Sequence, residues 1–521
     1  MPTNGLLHDG LAYWARRTPD RPAAIFVGRG ALTYGELARW SDGVAEHLHA
    51  EGIVPGDNVA IAGTNCLEWV AAAFGVLKAG GTIAPFNDRL LGEELAYLAD
   101  YSEAKLIIAD AHRSALLESA GVATPRLALE SLGEWRCGPS RPLTEVRVDS
   151  ATTAMIIFTS GSTARPKGAM MGHGNYLAKF MEMRLLAPEL GPQTRSLMPF
   201  GLHSSPGLPW GILFTTTLGG TLYFVDRYDA TSTLSILVDQ RITFFIGVPM
   251  VYEQVSRLPG FAGADLSALT FARIGGATPL PETLERWREA GVVVRQLYGM
   301  TEVGGGSIIA SSEEARAKPA SCGRGLAFSR FKILRDDGSP CGPDEPGHVV
   351  LQGPGMMSGY WRQPEASTEA LADGWMHTGD IGRVDEDGYF YFVDRSKEMI
   401  KAGGYNVSPS EIEAVLACHD AVVEAAVFGV TDPKVGETAF ACVYASGEVD
   451  AQELLDFCAG RLARFKLPRY IVLLDEPLPR LANEKIDRRR LKAAFADPSA
   501  YPARLESIHK ITKIDGLGGK N

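Results

Sequence analysis

Apolar residues fall along this chain in two recurring patterns. Short, nearly continuous runs of aliphatic and aromatic residues predict buried strands: Asn58-Val-Ala-Ile-Ala, Lys105-Leu-Ile-Ile-Ala, Thr221-Leu-Tyr-Phe-Val and Phe244-Phe-Ile-Gly-Val. Between them lie amphipathic stretches with helical spacing. The clearest runs from Tyr34 to Ala50 and opens on Leu32-Thr-Tyr-Gly-Glu-Leu. Alternation of apolar strands with helices predicts an α/β fold with largely parallel sheets.

From Gly325 to Asp394 the pattern changes. Short strands are punctuated by Asp336-Asp337-Gly338, Gly342-Pro343 and Glu386-Asp387-Gly388, turn sequences of hairpins, so a small β-barrel-like subdomain is expected. Beyond Lys397 a compact α+β unit follows, with helices over Glu411–Ala417 and Ala451–Ala463 and strands over Val422–Val430 and Ala439–Ala445. The tail after Tyr501 is weakly patterned and is expected to fray.

Composition narrows the class. The chain has 521 residues, 45% hydrophobic and 22% charged, an ordinary globular balance that excludes a disordered or collagen-like chain. Lys and Arg number 51 against 62 Asp and Glu, a net charge of −11, which argues against nucleic acid as the main ligand. The seven cysteines form no CxxC pair, which fits a reducing cytoplasm better than a disulfide framework or zinc site. No signal peptide is read at the start, and no apolar run reaches the roughly 18–20 residues of a membrane span. A cytoplasmic protein without an integral membrane segment is expected.

Four segments carry candidate chemistry. In Ile156-Ile-Phe-Thr-Ser-Gly-Ser-Thr-Ala-Arg-Pro-Lys-Gly168, a strand runs into a loop of hydroxyls and glycines closed by a lysine. Such a loop offers backbone N–H groups, hydroxyls and an ammonium to phosphate oxygens. Its glycine spacing is not that of a P-loop NTPase. The others are Tyr298-Gly-Met-Thr-Glu302, Thr378-Gly-Asp380, and Asp394-Arg-Ser-Lys-Glu-Met-Ile-Lys-Ala-Gly-Gly-Tyr-Asn-Val-Ser-Pro-Ser-Glu-Ile-Glu413.

In this order, the four segments resemble the adenylate-forming superfamily of acyl-CoA synthetases, nonribosomal-peptide adenylation domains and luciferase-like enzymes. The resemblance extends from Leu32 through Pro85-Phe-Asn to Lys485. It implies a two-step reaction. A carboxylate attacks the α-phosphate of ATP, giving an acyl-adenylate and pyrophosphate, and a thiol, usually that of CoA, then displaces AMP. It also implies an N-terminal AMP-binding domain over 1–396, with two α/β sheet regions in 1–324 and the β subdomain in 325–396. A mobile C-terminal cap over 397–521 would turn about a hinge at Lys397.

Site roles follow from the same resemblance. Thr159, Ser160, Gly161, Ser162, Thr163 and Lys167 would wrap the phosphates of ATP. Gly275, Gly276 and Ala277 would let backbone approach the nucleotide, Tyr298 and Gly299 would flank adenine, and Thr301 would touch the α-phosphate. Glu302 would help hold Mg²⁺, a hard ion that prefers oxygen ligands. Asp380 would accept from the ribose hydroxyls, with Arg395 alongside. His203 and Ser204, with Gly299, Met300, Gly304, Gly305 and Gly306, would line the acyl pocket, the glycines implying room for a wide acid. Lys485, His203, Lys401 and Glu302 form the catalytic set. Gly403, Gly404, Arg464, Phe465 and Lys466 would serve CoA.

Three positions depart from the family pattern: Ala164 for a loop glycine, Leu481 for a threonine, and Glu484 for the glycine before Lys485. All lie in the machinery of the first half-reaction. The leading expectation is a CoA ligase for a bulky hydrophobic acid, either an acyl-adenylate maker or an enzyme that thioesterifies a preformed acyl-adenylate. A carrier-protein-loading enzyme, a luciferase-like oxygenase and an inactive acyl-adenylate binder are the alternatives, and a homodimer is left open.

Overall fold

The computed structural model describes residues 5–139, 146–159, 166–402, 405–432, 436–463, 466–481, 485–495 and 510–511. The chain divides into two compact units. One comprises residues 1–332, 350–378 and 387–390, the other residues 333–349, 379–386 and 391–521.

The first unit holds two large sheets. One has eight strands in the order Gly305–Ile309, Val294–Met300, Phe271–Ile274, Phe244–Gly247, Arg195–Met198, Thr221–Phe224, Pro22–Phe26 and Gly30–Thr33. The inner pairings are parallel, and the two outermost strands close antiparallel. The other has seven strands, with Thr153–Thr159, Thr82–Phe86, Asn58–Ala62, Leu106–Ala109 and Arg126–Ala128 parallel, and Lys167–Gly172 and Gly359–Tyr360 added antiparallel. Helices cover these strands, which is why the strands read as continuous apolar runs.

The Tyr34–Ala50 helix forms as its sequence predicts. Thr33 caps it, its hydroxyl accepting from Glu36 N at 3.2 Å while Glu36 accepts from Thr33 N at 2.9 Å. Its Leu37, Trp40, Val44 and Leu48 are buried at helical spacing. Less expected is Pro206–Phe214, a nine-residue π-helix with Pro209 inside it, buried from Gly207 to Phe214. Proline removes an N–H and blocks the tighter α-helical bond, so the wider turn accommodates it. Between Gly325 and Asp394, strands Arg330–Leu334, Gly347–Gln352, Met376–Val384 and Phe390–Arg395 alternate with the expected turns, and Pro364–Ala370 is helical.

In the second unit, Gly436–Ala445 pairs antiparallel with Val422–Asp432 and parallel with Tyr470–Leu474, and helices Pro409–Ala417 and Ala451–Ala459 pack on this core. Among the described residues, no helix is long and apolar enough to cross a membrane.

One buried group makes fold stability pH-dependent. His173 is 1% exposed and its Nδ1 accepts from Leu7 N at 3.1 Å, so the ring is held neutral. Burial first, and the neighbouring His8 second, push its pKa down to about 4. As pH falls from about 6.5 to 4, the unfolded chain takes up a proton that the folded chain refuses. Stability is therefore full above pH 6.5 and falls by about 1.4 kcal/mol per unit below it. Urea midpoints at pH 7.5 and 5 should differ accordingly, and an unchanged midpoint would contradict this account.

Candidate active site

The parallel strands of the eight-stranded sheet deliver their carboxyl ends to one edge, the usual ligand side of such sheets. Gly275–Ala277 follow Phe271–Ile274, Tyr298–Thr301 end and follow Val294–Met300, and Phe200–Ser204 follow Arg195–Met198. Three stretches singled out from the sequence thus leave the same end of one sheet.

The second sheet contributes the base of the phosphate loop. Thr159 and Lys167 face each other in antiparallel register, and Thr159 Oγ1 lies 3.4 Å from Lys167 O. The loop between them, with Ser160, Gly161, Ser162, Thr163 and Ala164, lies outside the described residues. The two sheets meet at Glu302. Its carboxylate is 5% exposed, and Oε1 accepts from Tyr360 Oη at 2.9 Å and from Thr159 Oγ1 at 3.4 Å. Lys167 Nζ lies 4.9 Å from the centroid of the Tyr360 ring. Burial, and then Glu302, raise the Tyr360 phenol above its ordinary value, so it remains a proton donor. A buried carboxylate oxygen beside a threonine hydroxyl is a donor set that suits Mg²⁺. Tyr360 carried no sequence signal, since it lies 58 residues beyond Glu302 on a two-residue strand.

The glycines after Thr301-Glu302 have packing reasons of their own. Gly304 and Gly305 hold φ of +74° and +96°, left-handed backbone that side chains resist. A Cβ on Gly299 would lie 1.9 Å from Gly305 O, one on Gly305 would lie 2.6 Å from Trp210 Nε1, and one on Gly306 would lie 2.8 Å from Ile309 Cδ1. Trp210 Nε1 also donates to Gly304 O at 3.2 Å. The missing side chains are thus matched by backbone, indole and isoleucine. Gly299→Ala should lower the thermal midpoint markedly, by roughly 1–3 kcal/mol of overpacking, a calorimetric scan being the check. Beneath Gly304, Lys179 and Glu182 form a fully buried ion pair at 2.8 Å, with Ser329 Oγ 3.0 Å from Lys179 Nζ and Phe328 N donating to Glu182 Oε1 at 2.7 Å. This pair, also unsignalled in the sequence, supports the turn from below.

His203 Nδ1 lies 3.6 Å from Asp88 Oδ1. Burial pushes its pKa down, outweighing the opposing pull of Asp88, so the ring is neutral at pH 7. Its loop is braced by Asn65, which donates to Phe200 O at 3.0 Å and to Val225 O at 2.8 Å and accepts from Leu202 N at 2.8 Å. Ser204 turns back, its hydroxyl donating to Gly201 O and accepting from Gly207 N. Tyr298 packs against Phe390, ring centroids 4.7 Å apart. Leu297 fills the place of a Cβ on Gly275, while Gly276 takes a φ of +88° and Ala277 is exposed.

In the second unit, Arg395 Nε stands 2.9 Å from Asp380 Oδ1, and Asp380 is buried. The preceding Asp394 is buried as well. It accepts from Arg395 N at 2.8 Å, Ser410 N at 3.0 Å and the Ser408 hydroxyl, fixing the start of helix Pro409–Ala417. Arg488 bridges Glu398 at 2.8 Å and Glu413 at 2.6 Å. Lys485 follows a turn in which Leu481 N donates to Lys485 O at 2.8 Å. Burial holds its ammonium below the ordinary lysine value, and Arg395 adds to this while Asp380 and Glu398 oppose it. These four residues thus share one electrostatic neighbourhood. Lys466 pairs with Glu411 at 2.6 Å, and Lys397 is exposed in a short 3-10 turn. Lys401 lies on strand Ile400–Ala402. Gly403, Gly404, Arg464, Phe465 and Glu484 lie outside the described residues.

Comparison with known proteins agrees with this geometry. The family described as AMP-binding enzyme matches residues 11–361, and the AMP-binding enzyme C-terminal domain matches residues 411–485. A feruloyl-CoA synthase from an Amycolatopsis species is 36% identical over 94% of this chain and 99% of its own length. A long-chain-fatty-acid–CoA ligase from Mycobacterium tuberculosis is 32% identical over 89% and 93%. Among solved structures, o-succinylbenzoate CoA synthetase from Bacillus subtilis, in complex with its acyl-adenylate intermediate, superimposes with a TM-score of 0.83 at 29% identity, over 94% of this chain and 98% of that one. With strand-end glycines, a braced carboxylate and both halves of the chain matched, this protein belongs to the AMP-binding enzymes of the adenylate-forming superfamily.

Proposed function

We propose that the chain is an AMP-forming acyl-CoA synthetase, an acid–thiol ligase that activates a bulky hydrophobic carboxylic acid with ATP and passes the acyl group to CoA. The observation that carries this reading is the buried Glu302, held by Tyr360 and Thr159 where the two sheets meet. Charge develops on phosphate oxygens during adenylation, so catalysis rests on positioning and electrostatics.

In this reading Thr159 and Lys167 orient the phosphates, and Gly275 and Gly276 let backbone approach the nucleotide. Mg²⁺, when bound, neutralises phosphate charge, and Glu302 supplies its protein oxygen. Asp380 and Arg395 hold the ribose. Lys485 places a positive charge on the acid and α-phosphate in the first half-reaction. The chain turns about Lys397 for the second, in which neutral His203 borders the thiol's path and the segment after Lys401 serves CoA. All seven thiols are unbonded, which supports residence in a reducing compartment.

The test is ATP–pyrophosphate exchange with a panel of aromatic, alicyclic and long-chain acids, followed by mass analysis for CoA thioesters. Acid-dependent exchange and a thioester are expected. Thioester formed only from added acyl-adenylate, with no exchange, would replace this reading with a non-adenylating synthetase. Exchange without CoA transfer would point to a carrier-protein acceptor.

A further inference from the structure

Arg273 is an anomaly in the first unit. It lies on the central strand Phe271–Ile274, two residues before Gly275, and is 2% exposed. Its strand neighbours Ala272 and Ile274 join an apolar core cluster, whereas Arg273 stacks on the opposite side. Its Cζ lies 4.5 Å from the ring centroid of Trp210 and 5.9 Å from that of Phe244. Arg273 Nε and Nη1 have no hydrogen-bond partner among the described residues, and no carboxylate opposes the charge. Arg295, one strand over, is paired with Glu189 at 2.7 Å, and Lys179 is paired with Glu182. Burial lowers Arg273 to about 9, with only the Tyr252 phenol acting against it. A buried cation without a partner is costly, and protein interiors seldom keep one without a use.

Its position suggests the use. The guanidinium rests on the Trp210 indole, whose Nε1 bonds Gly304 O in the turn just after Glu302. One ring thickness therefore separates it from the segment where the acid is proposed to bind. Cation–π stacking on Trp210 fixes the plane of the guanidinium and leaves its N–H edge to donate. We infer that Arg273 is a specificity-determining residue that donates to an oxygen acceptor on the acyl substrate, remote from the reacting carboxylate. The substrate class is then a mostly apolar acid carrying a second oxygen function, either a distal carboxylate or a neutral phenolic or ether oxygen. This deepens the proposed function and rests on it. A site built to hydrogen-bond such a group discriminates strongly against the analogue without it, because the buried donor is then left unmet.

The experiment uses three matched sets of arylalkenoic acids: unsubstituted, with a distal hydroxyl or methoxy group, and with a distal carboxylate. ATP–pyrophosphate exchange is measured for the wild type, Arg273→Met and Arg273→Lys. The wild type should favour one oxygenated set over the unsubstituted set by at least about tenfold in kcat/KM. The favoured set identifies the acceptor as carboxylate or neutral oxygen. Arg273→Met should collapse that ratio towards one, and Arg273→Lys should retain part of it. In the absence of substrate, Arg273→Met should also melt at a higher temperature, since it removes an unpartnered charge and keeps the volume. Acid-dependent exchange with no preference in the wild type, or a preference unchanged in Arg273→Met, overturns the inference alone. A lower melting temperature with the ratio intact marks Arg273 as structural and overturns it too. Absence of exchange with every acid overturns the proposed function and this inference together.

Discussion

Glu302→Gln is expected to cut ATP–pyrophosphate exchange by about 100- to 1,000-fold while leaving the protein folded. The amide is the same size, and its oxygen can still accept from Tyr360 and Thr159, which now hold the carboxylate. What disappears is one negative charge at a buried position, where charge is least screened. A divalent cation bridging this carboxylate to the phosphates loses its protein oxygen anion, and the transition state loses the charge balance that cation provides. Thermal stability should change little, or rise. The check pairs exchange rates with melting curves at several Mg²⁺ concentrations. A fall below tenfold would remove Glu302 from the metal-binding role.

Lys485→Ala should separate the half-reactions. Exchange is expected to drop by at least about 100-fold, whereas CoA-thioester formation from supplied acyl-adenylate should stay within a few-fold of wild type. The argument begins with Lys485's surroundings. Arg395 lies close enough to depress its ammonium, and Asp380 and Glu398 pull the other way, so a nucleotide ribose held by Asp380 would bring the α-phosphate into the same field. Alanine deletes the charge without touching the Asp394–Ser408 bond or the Arg488 bridges that organise the unit. Equal losses in both half-reactions would sink the proposed division of labour, and so would retained exchange.

Much of this could be read from the sequence because its signals are local. The Tyr34–Ala50 helix announces itself through Thr33, Glu36 and the spacing of Leu37, Trp40 and Val44. The buried strands read as apolar runs, and the strand-end motifs lie where parallel strands end. What escaped depends on partners far away in the chain. Nothing near Tyr360 says that it will hold Glu302, and nothing near Lys179 says that it will be buried with Glu182. Arg273 looks like an ordinary polar position in a strand until its burial is known. The apolar run Pro206–Phe214 gave no period, because its proline forces a π-helix. The Gly304–Gly306 stretch was legible as glycine but not in its purpose, since only the fold shows Trp210 against it.

That last packing bears on how such an enzyme could change its diet. Substrate range is commonly retuned by enlarging or shrinking residues along a binding cleft. Here the triple glycine is a poor dial, because each added carbon collides with the protein itself before it meets an acid. Drift at these positions would be purged for instability, whatever its effect on selectivity. Adaptive variation is channelled instead to the side chains stacked behind the turn, Trp210 and Arg273, where a change alters the cavity without breaking the hairpin. A directed-evolution library aimed at new acids would do better to randomise those two positions and leave residues 304–306 alone.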